Sequence, residues 1–304
     1  MGERLKDKVA VVTGSGQGIG KAIAIGMGKE GAKVITNNRK PGTEGGDAQT
    51  TANEIKAVGA EVVPVFGDVS KPDDARKIIQ AAVENFGRID ILVNNAGVLR
   101  DRMVWKMSDE EWDTVIKVHL YGCFYCTREA ANLMREQRSG RIINLSSRAS
   151  LGTVGQANYS AAKAGILGFT RSIARDLGRY GITCNVIFPA ADTRLMRTPE
   201  VTASKEKRAS AGVQSVVRAG DIADYPDPMA VAPIAVYLAS NESADVNGQQ
   251  FFSWGPEVTL YSHPGKVKSI FAPSGSWTVD EIAAIFPTTL GEGLVNPAPP
   301  QPPT

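Results

Sequence analysis

Apolar residues in this chain gather into short β-branched runs, and the segments between those runs repeat their apolar positions every three or four residues. The runs are Lys8 to Thr13, Ala32 to Thr36, Glu61 to Phe66, Ile89 to Asn94, Arg141 to Leu145, Ile182 to Ile187 and Gln249 to Ser253. Helical spacing fills Lys21 to Glu30, Ala48 to Val58, Pro72 to Phe86, Asp109 to Arg138, Ala157 to Gly178 and Met229 to Ala239. Strands alternating with helices in this way need right-handed crossovers, so the pattern predicts an α/β fold with a parallel sheet covered on both faces.

The alternation loosens after the sixth run. Residues 192–228 are polar and proline-bearing, and too long for a simple connector, which makes them the expected lid or substrate loop. No domain break is expected before residue 254, so residues 1–253 read as one domain and 254–304 as an extension. Within that extension Trp277 to Phe286 predicts a short amphipathic helix. Its Trp277, Ile282, Ile285 and Phe286 are expected to dock on the body or on a neighbouring subunit, while Pro297 to Thr304 stays extended and mobile.

Composition changes this picture little. The chain has 304 residues, enough for a sizeable core, with 42% hydrophobic and 22% charged residues. Lys plus Arg number 34 against 32 Asp plus Glu, so no electrostatic footprint for nucleic acid or a membrane surface is present. Met1 to Lys8 is polar and runs straight into the first strand, unlike a signal peptide. With no long apolar run and three cysteines, a reduced cytoplasmic setting is expected. Cys123 and Cys126 form a lone C-x-x-C inside a helical run and read as buried small residues rather than a redox or zinc site.

Two clusters carry candidate chemistry. The first run leads directly into Gly14-Ser-Gly-Gln-Gly-Ile-Gly20 and then into a helix, the strand–turn–helix order that a dinucleotide-phosphate loop needs. Gly14 permits the tight turn, Gly18 lets backbone approach a pyrophosphate, and Gly20 lets helix pack on strand; the helix N-terminus then offers free N–H groups and a positive dipole end. The second cluster is Tyr159 and Lys163, four apart on one helix face. An ammonium held near a phenol favours the phenolate, so the pair can serve as an acid–base catalyst.

Taken together, Thr13-Gly14-x-x-x-Gly18-x-Gly20, Asp68-Val69, Asn94-Asn-Ala-Gly97 and Tyr159-x-x-x-Lys163 resemble the short-chain dehydrogenase/reductase family over residues 5–253. The resemblance implies a Rossmann-like doubly wound parallel sheet of about seven strands with helices on both faces. It further implies cofactor contacts from Gly14, Ser15, Gln17, Gly18, Ile19, Gly20, Asn38, Arg39, Asp68, Val69, Asn95, Ala96, Gly97, Tyr159, Lys163 and Thr193, and no metal. Tyr159 becomes the general acid, Lys163 lowers its pKa and holds the nicotinamide ribose, and a serine after strand five polarises the substrate carbonyl. Because the family pairs the Tyr159 helix across a two-fold axis, a homodimer or homotetramer is expected.

Two serines compete for the polarising role. The family's usual interval of thirteen residues, counted back from Tyr159, reaches Ser146, whereas the strand motif Asn144-Leu-Ser-Ser147 selects Ser147. Strand register fixes side-chain direction while the following loop loses a residue cheaply, so Ser147 is preferred. His119 stands where the family usually carries an asparagine, and both a packing role and a proton-relay role fit it.

Val118-His-Leu, Gly97-Val-Leu-Arg-Asp-Arg102 and Asp192-Thr-Arg194 look like the dehydrogenase portion of peroxisomal multifunctional β-oxidation enzymes and their bacterial relatives, as does the long loop Lys40 to Gln49. That resemblance implies a small-molecule substrate of the 3-hydroxyacyl or 3-ketoacyl-CoA class. No hydratase or sterol-carrier region follows, so only the redox activity is expected. Carrier-protein thioesters, polyketides and alicyclic ketones are the alternatives within the same chemistry, and a non-catalytic nucleotide-binding regulator is the alternative outside it. Asn38 replaces the aspartate common in the branch and Arg39 follows it, so NADP(H) is the expected cofactor and NAD(H) the alternative.

Overall fold

The computed structural model describes residues 2–192, 225–273 and 275–298. Its strands are β1 (Val9–Val12), β2 (Lys33–Asn38), β3 (Val62–Phe66), β4 (Ile91–Asn94), β5 (Gly140–Leu145), β6 (Ile182–Pro189), β7 (Gln250–Trp254) and β8 (Glu257–Tyr261). The helices are α1 (Gly18–Lys29), α2 (Ala48–Ala57), α3 (Pro72–Phe86), α4 (Asp109–Ile116), α5 (Gly122–Gln137), α6 (Ala157–Gly178), α7 (Ala232–Ala239) and α8 (Val279–Ile285). One sheet holds all eight strands in the order β3-β2-β1-β4-β5-β6-β7-β8. The pairs from β3 to β7 are parallel, and β8 alone runs antiparallel.

Each central strand is apolar on both sides because both faces are covered. Ala10, Val12, Val34, Ile91 and Ile143 pack with α1, α2 and α7, whereas Val9, Val11, Ile35, Leu92 and Ile142 pack with α3, α5 and α6. Strand order reverses between β1 and β4, and the crevice at their carboxyl ends is where open α/β sheets place a ligand.

Three elements differ from the sequence expectation. The helix expected from Asp109 to Arg138 is interrupted by a π turn over Lys117–Tyr121. Tertiary contacts explain that turn. A Cβ on Gly97 would run into the His119 ring, and one on Gly122 would meet Val69, so two glycines make room for a widened turn that seats His119 against the loop after β4. The helix expected from Met229 begins as a 3-10 turn, Pro228–Val231, capped by the Asp227 carboxylate, and becomes α-helical at Ala232. The third difference is β8. Gly255, at φ 52°, and Pro256 make a two-residue hairpin that sends Glu257–Tyr261 back along β7.

Two units divide the chain, Met1–Tyr261 and Ser262–Thr304. In the second, α8 is closed at its start by a reciprocal capping box between Thr278 and Glu281. Lys268 donates there to the carbonyls of Thr289 and Glu292 at 3.1 and 2.9 Å.

Candidate active site

The glycine turn is stitched to its neighbours by buried amides. Gly14 and Gly18 have φ of 62° and 59°, the left-handed region that favours glycine. A Cβ on Gly20 would strike the Asn95 side-chain amide, which donates to the carbonyls of Thr13 and Gly14 at 2.9 and 3.0 Å. Asn37, buried at the end of β2, accepts from Gly14 N–H at 3.2 Å and donates to the carbonyls of Val65 and Gly67 at 3.2 Å each. The turn therefore stays open on one side, with the N-terminus of α1 behind it, and Gln17, Gly18 and Ile19 remain partly exposed there.

Ser15 faces the other way. It is fully buried, and its hydroxyl accepts from Asn37 N–H at 2.9 Å, which ties the turn to the end of β2. The side chain of Asn38 is likewise engaged: Oδ1 accepts from Ala48 N–H at 2.8 Å, and Nδ2 donates to the Lys40 carbonyl at 2.9 Å and to Thr43 Oγ1 at 3.0 Å. Those bonds tie the β2–α2 loop closed and leave Arg39 exposed at its start.

Asp68 caps its own turn by accepting from Ser70 N–H and Oγ at 3.0 and 2.7 Å, and Val69 is buried against the π turn. Ala96 lies beside Gly14 where β1 and β4 end together. Thr193 lies outside the described residues, as do 193–224 of the expected substrate loop.

At the carboxyl end of β5 the candidate chemical groups meet. The Ser146 hydroxyl is buried and donates to the Lys163 backbone carbonyl at 2.9 Å. Ser147 is half-exposed; its hydroxyl accepts from Ala149 N–H at 3.2 Å and also interacts with the Tyr159 phenol. Lys163 Nζ donates to the Leu145 carbonyl at 2.7 Å and lies 5.5 Å from the centre of the Tyr159 ring. The His119 ring meets Tyr159 edge-on at 5.1 Å. A small cavity bounded by Thr13, Asn94, His119, Cys123 and Lys163 adjoins the group.

The electrostatics correct one expectation. Burial pushes the Tyr159 phenol up to about 12, with only the Ser147 hydroxyl pulling it back, while the Asp101 carboxylate pushes it further up. Lys163 was expected to lower that value. Instead, burial depresses the lysine itself to about 8, and its ammonium is aimed at a carbonyl instead of at the phenolic oxygen.

His119 is held neutral. Burial, with the Lys163 charge adding to it, puts its pKa well below the ordinary value. Its Nε2 sits 2.8 Å from the Val98 carbonyl and 3.0 Å from the Val98 N–H, so the tautomer decides which of the two it pairs with.

Several contributors were not among the expected site residues. Asn94 donates to Thr127 Oγ1 and Asn144 Oδ1 at 3.0 and 2.8 Å, and Asn144 donates to Thr170 Oγ1 at 2.9 Å, a buried polar ladder joining β4, β5, α5 and α6 under the site. The available signal was a polar residue interrupting an apolar run. Cys123, Cys126 and Cys184 are free and buried; burial raises each thiol, Cys123 to about 12, which leaves them unreactive. Among the described residues no group of three or more His, Cys, Asp or Glu side chains is placed to hold a metal, and no helix is long and apolar enough to cross a membrane.

A family model described as short chain dehydrogenase matches residues 8–206. Hydroxyacyl-CoA dehydrogenase ChsB1 of Mycobacterium tuberculosis is 44% identical over 293 residues, covering 92% of this chain and 87% of that protein. The 3-oxoacyl-[acyl-carrier-protein] reductase of Synechocystis is 37% identical, covering 81% and 95%. The peroxisomal hydratase-dehydrogenase-epimerase of Neurospora crassa is 45% identical over 201 residues, 64% of this chain but only 22% of that longer protein. A crystal structure of a short chain dehydrogenase from Mycobacterium avium superposes with a TM-score of 0.80 at 36% identity, over 98% of each chain.

Proposed function

The chain belongs to the short-chain dehydrogenase family and is an NAD(P)-dependent oxidoreductase, and on that premise we propose that it moves hydride between the nicotinamide and a 3-hydroxyacyl or 3-ketoacyl thioester carried on coenzyme A. The substrate reading is supported by the relative named hydroxyacyl-CoA dehydrogenase, 44% identical over 92% of this chain. The convergence of Ser147, Tyr159 and Lys163 beside the glycine turn carries the chemistry.

The turn fits a dinucleotide, because two positive-φ glycines and the α1 N-terminus form a cradle that side chains would fill. Gly14 to Gly20, Asp68-Val69 and Asn95 to Gly97 would hold it, with Lys163 on its ribose. When bound, the nicotinamide supplies or accepts the hydride. Ser147 donates a hydrogen bond to the carbonyl oxygen, and Tyr159 delivers its proton to that oxygen as the carbon is reduced; in the oxidative direction the proton returns to the phenolate. Burial keeps the phenol in its acid form well above neutral pH, so the proton to be delivered is in place. His119, neutral and wedged between Val98 and Tyr159, fixes the back of the phenol.

NADP(H) is the cofactor on this reading. No carboxylate ends β2 to repel a 2′-phosphate, and Arg39 is exposed at the rim beside it. A homodimer or homotetramer through α5 and α6 is supported by exposed Tyr121 at the end of the π turn, exposed Phe124 on α5, and exposed Ala161, Ala164 and Gly168 on α6. The second substrate reading, a carrier-protein thioester, is favoured by the 37% identical Synechocystis reductase. Offering acetoacetyl-CoA, longer 3-ketoacyl-CoA esters, the matching carrier-protein thioesters and cyclic ketones in parallel, and following nicotinamide absorbance, separates the readings. The acyl-CoA reading requires the highest kcat/KM with a CoA ester, and a higher value with a carrier-protein thioester or a ketone overturns it.

A further inference from the structure

The residue before Tyr159 ties the start of α6 to two other elements. Asn158 is fully buried, and its amide group donates to two carbonyls from different elements, Arg100 at 3.0 Å and Glu111 at 3.1 Å. Its Oδ1 accepts from the Tyr159 N–H at 2.7 Å. One short side chain thus joins the first turn of α6 to the loop after β4 and to α4.

That junction is reinforced on both sides. Arg102 N–H donates to the Gly155 carbonyl at 2.8 Å, and Arg102 and Gln156 pair as an isolated parallel bridge. The Gln156 amide, which provides no cap to α6, donates to Asp101 Oδ2 at 2.8 Å. Farther out, the Arg102 guanidinium grips Glu111, which also closes the capping box of α4 with Ser108. Residues 100–102 therefore lie along residues 155–158 as a latch. The same loop carries Val98, the partner of His119.

We propose that Asn158 is a positioning residue for the Tyr159 phenol: its amide locks the start of α6 to the loop after β4 and to α4, and the Gln156–Asp101 and Arg102–Gly155 bonds brace that lock. The inference rests on Tyr159 exchanging the proton in the proposed reaction. Lys163 on its own helix and His119 in the π turn pack against the Tyr159 ring, the Ser147 hydroxyl bonds to the phenol, and the Asp101 charge on the latch opposes the phenolate.

Two variants of the full chain test this. Asn158→Ala removes the lock. Amide hydrogen exchange should then rise about tenfold or more in peptides covering 98–104 and 157–161 together, while peptides covering β1 and α1 keep their rates. With acetoacetyl-CoA, kcat should fall about ten- to a hundredfold, because small displacements of a reacting group are costly, with KM and cofactor Kd within about threefold of the parent. Asp101→Ala removes the acceptor of the Gln156 amide and with it one brace of the latch. Exchange in peptides covering 98–104 and 155–161 should rise in this variant too, by less than in Asn158→Ala, because the Asn158 bonds remain.

Unchanged exchange in both segments of Asn158→Ala, a kcat within about threefold of the parent although exchange has risen, or greater exchange in Asp101→Ala than in Asn158→Ala overturns the proposal. Hydrogen exchange needs no substrate. A parent protein that reduces no thioester therefore defeats the function proposed above, while the exchange data still decide the latch.

Discussion

On the proposed reading cofactor choice turns on Asn38 at the end of β2 and Arg39 directly after it, and the structure lets their replacement be weighed. Arg39 is exposed, so Arg39→Leu disturbs no packing and removes only a cation. Asn38→Asp keeps the acceptor for Ala48 N–H but loses the donors to the Lys40 carbonyl and Thr43 Oγ1. Each lost hydrogen bond costs about 0.5–1.5 kcal/mol. The new carboxylate beside the N-terminus of α2 returns about 0.3–1 kcal/mol, so the loop should survive. A guanidinium bond to a 2′-phosphate contributes about 1.5–3 kcal/mol, which is roughly ten- to a hundredfold in affinity. Because Arg39 is solvated and salt screens exposed charges within about 8 Å at 0.15 M, the lower end is expected. Arg39→Leu should weaken NADP(H) binding by about tenfold, leave NAD(H) binding nearly unchanged, and flatten the salt dependence of the NADP(H) titration. Adding Asn38→Asp should turn the preference toward NAD(H) by placing a charge against the phosphate. Calorimetric titration of both cofactors at low and high salt measures all of this. Tighter NAD(H) binding in the parent, or an unchanged NADP(H)/NAD(H) ratio in Arg39→Leu, would refute the reasoning.

Other consequences are open to direct measurement. Burial holds Lys163 at about 8, below its ordinary 10.5, so the free protein sheds this proton first as pH rises and loses the ammonium that the ribose needs. Cofactor affinity should therefore decline between about pH 7 and 9, and a constant Kd across that window would contradict it. Gly20→Ala drives a methyl group into the Asn95 amide and the Gly14 carbonyl. It should cost about 1–3 kcal/mol in thermal unfolding and at least tenfold in cofactor affinity, and parent-like behaviour in both assays would show that the turn is looser than described. In solution at micromolar concentration the mass should be that of a dimer or tetramer, and a monomeric mass counts against pairing through α5 and α6.

Most of the fold was legible because period decides it. Runs such as Val9–Val12 and Ile91–Asn94, apolar on both faces, can only be central parallel strands, and the helices between them set the crossovers. The glycine turn and the Tyr159–Lys163 pair were legible for a related reason, since their spacing along the chain is their spacing in space. What stayed hidden depends on apposition. Nothing in Lys117–Tyr121 announces a π turn; it follows from Gly97 and Val69, which reach it across the fold. Asn37 and Asn158 look like ordinary polar residues until the carbonyls and N–H groups they satisfy are brought beside them. The sign of the Tyr159 shift was out of reach as well, because the adjacent ammonium predicts a decrease whereas burial, invisible in a local motif, dominates. By contrast β8 was within reach: Gly255-Pro256 followed by alternating Val258 and Leu260 is a hairpin signal that the expectation of a separate extension obscured.

The central claim is that Tyr159 supplies the proton to a carbonyl reduced at the nicotinamide. Tyr159→Phe tests it most directly, because the substitution deletes the hydroxyl while the glycine turn and Lys163 remain. NADP(H) affinity and acetoacetyl-CoA reduction should be measured on the same preparation. The account predicts a Kd within about threefold of the parent together with a loss of at least a thousandfold in kcat, on the scale general acid catalysis contributes. Substantial turnover by the Phe variant, with cofactor bound as tightly as in the parent, would contradict it.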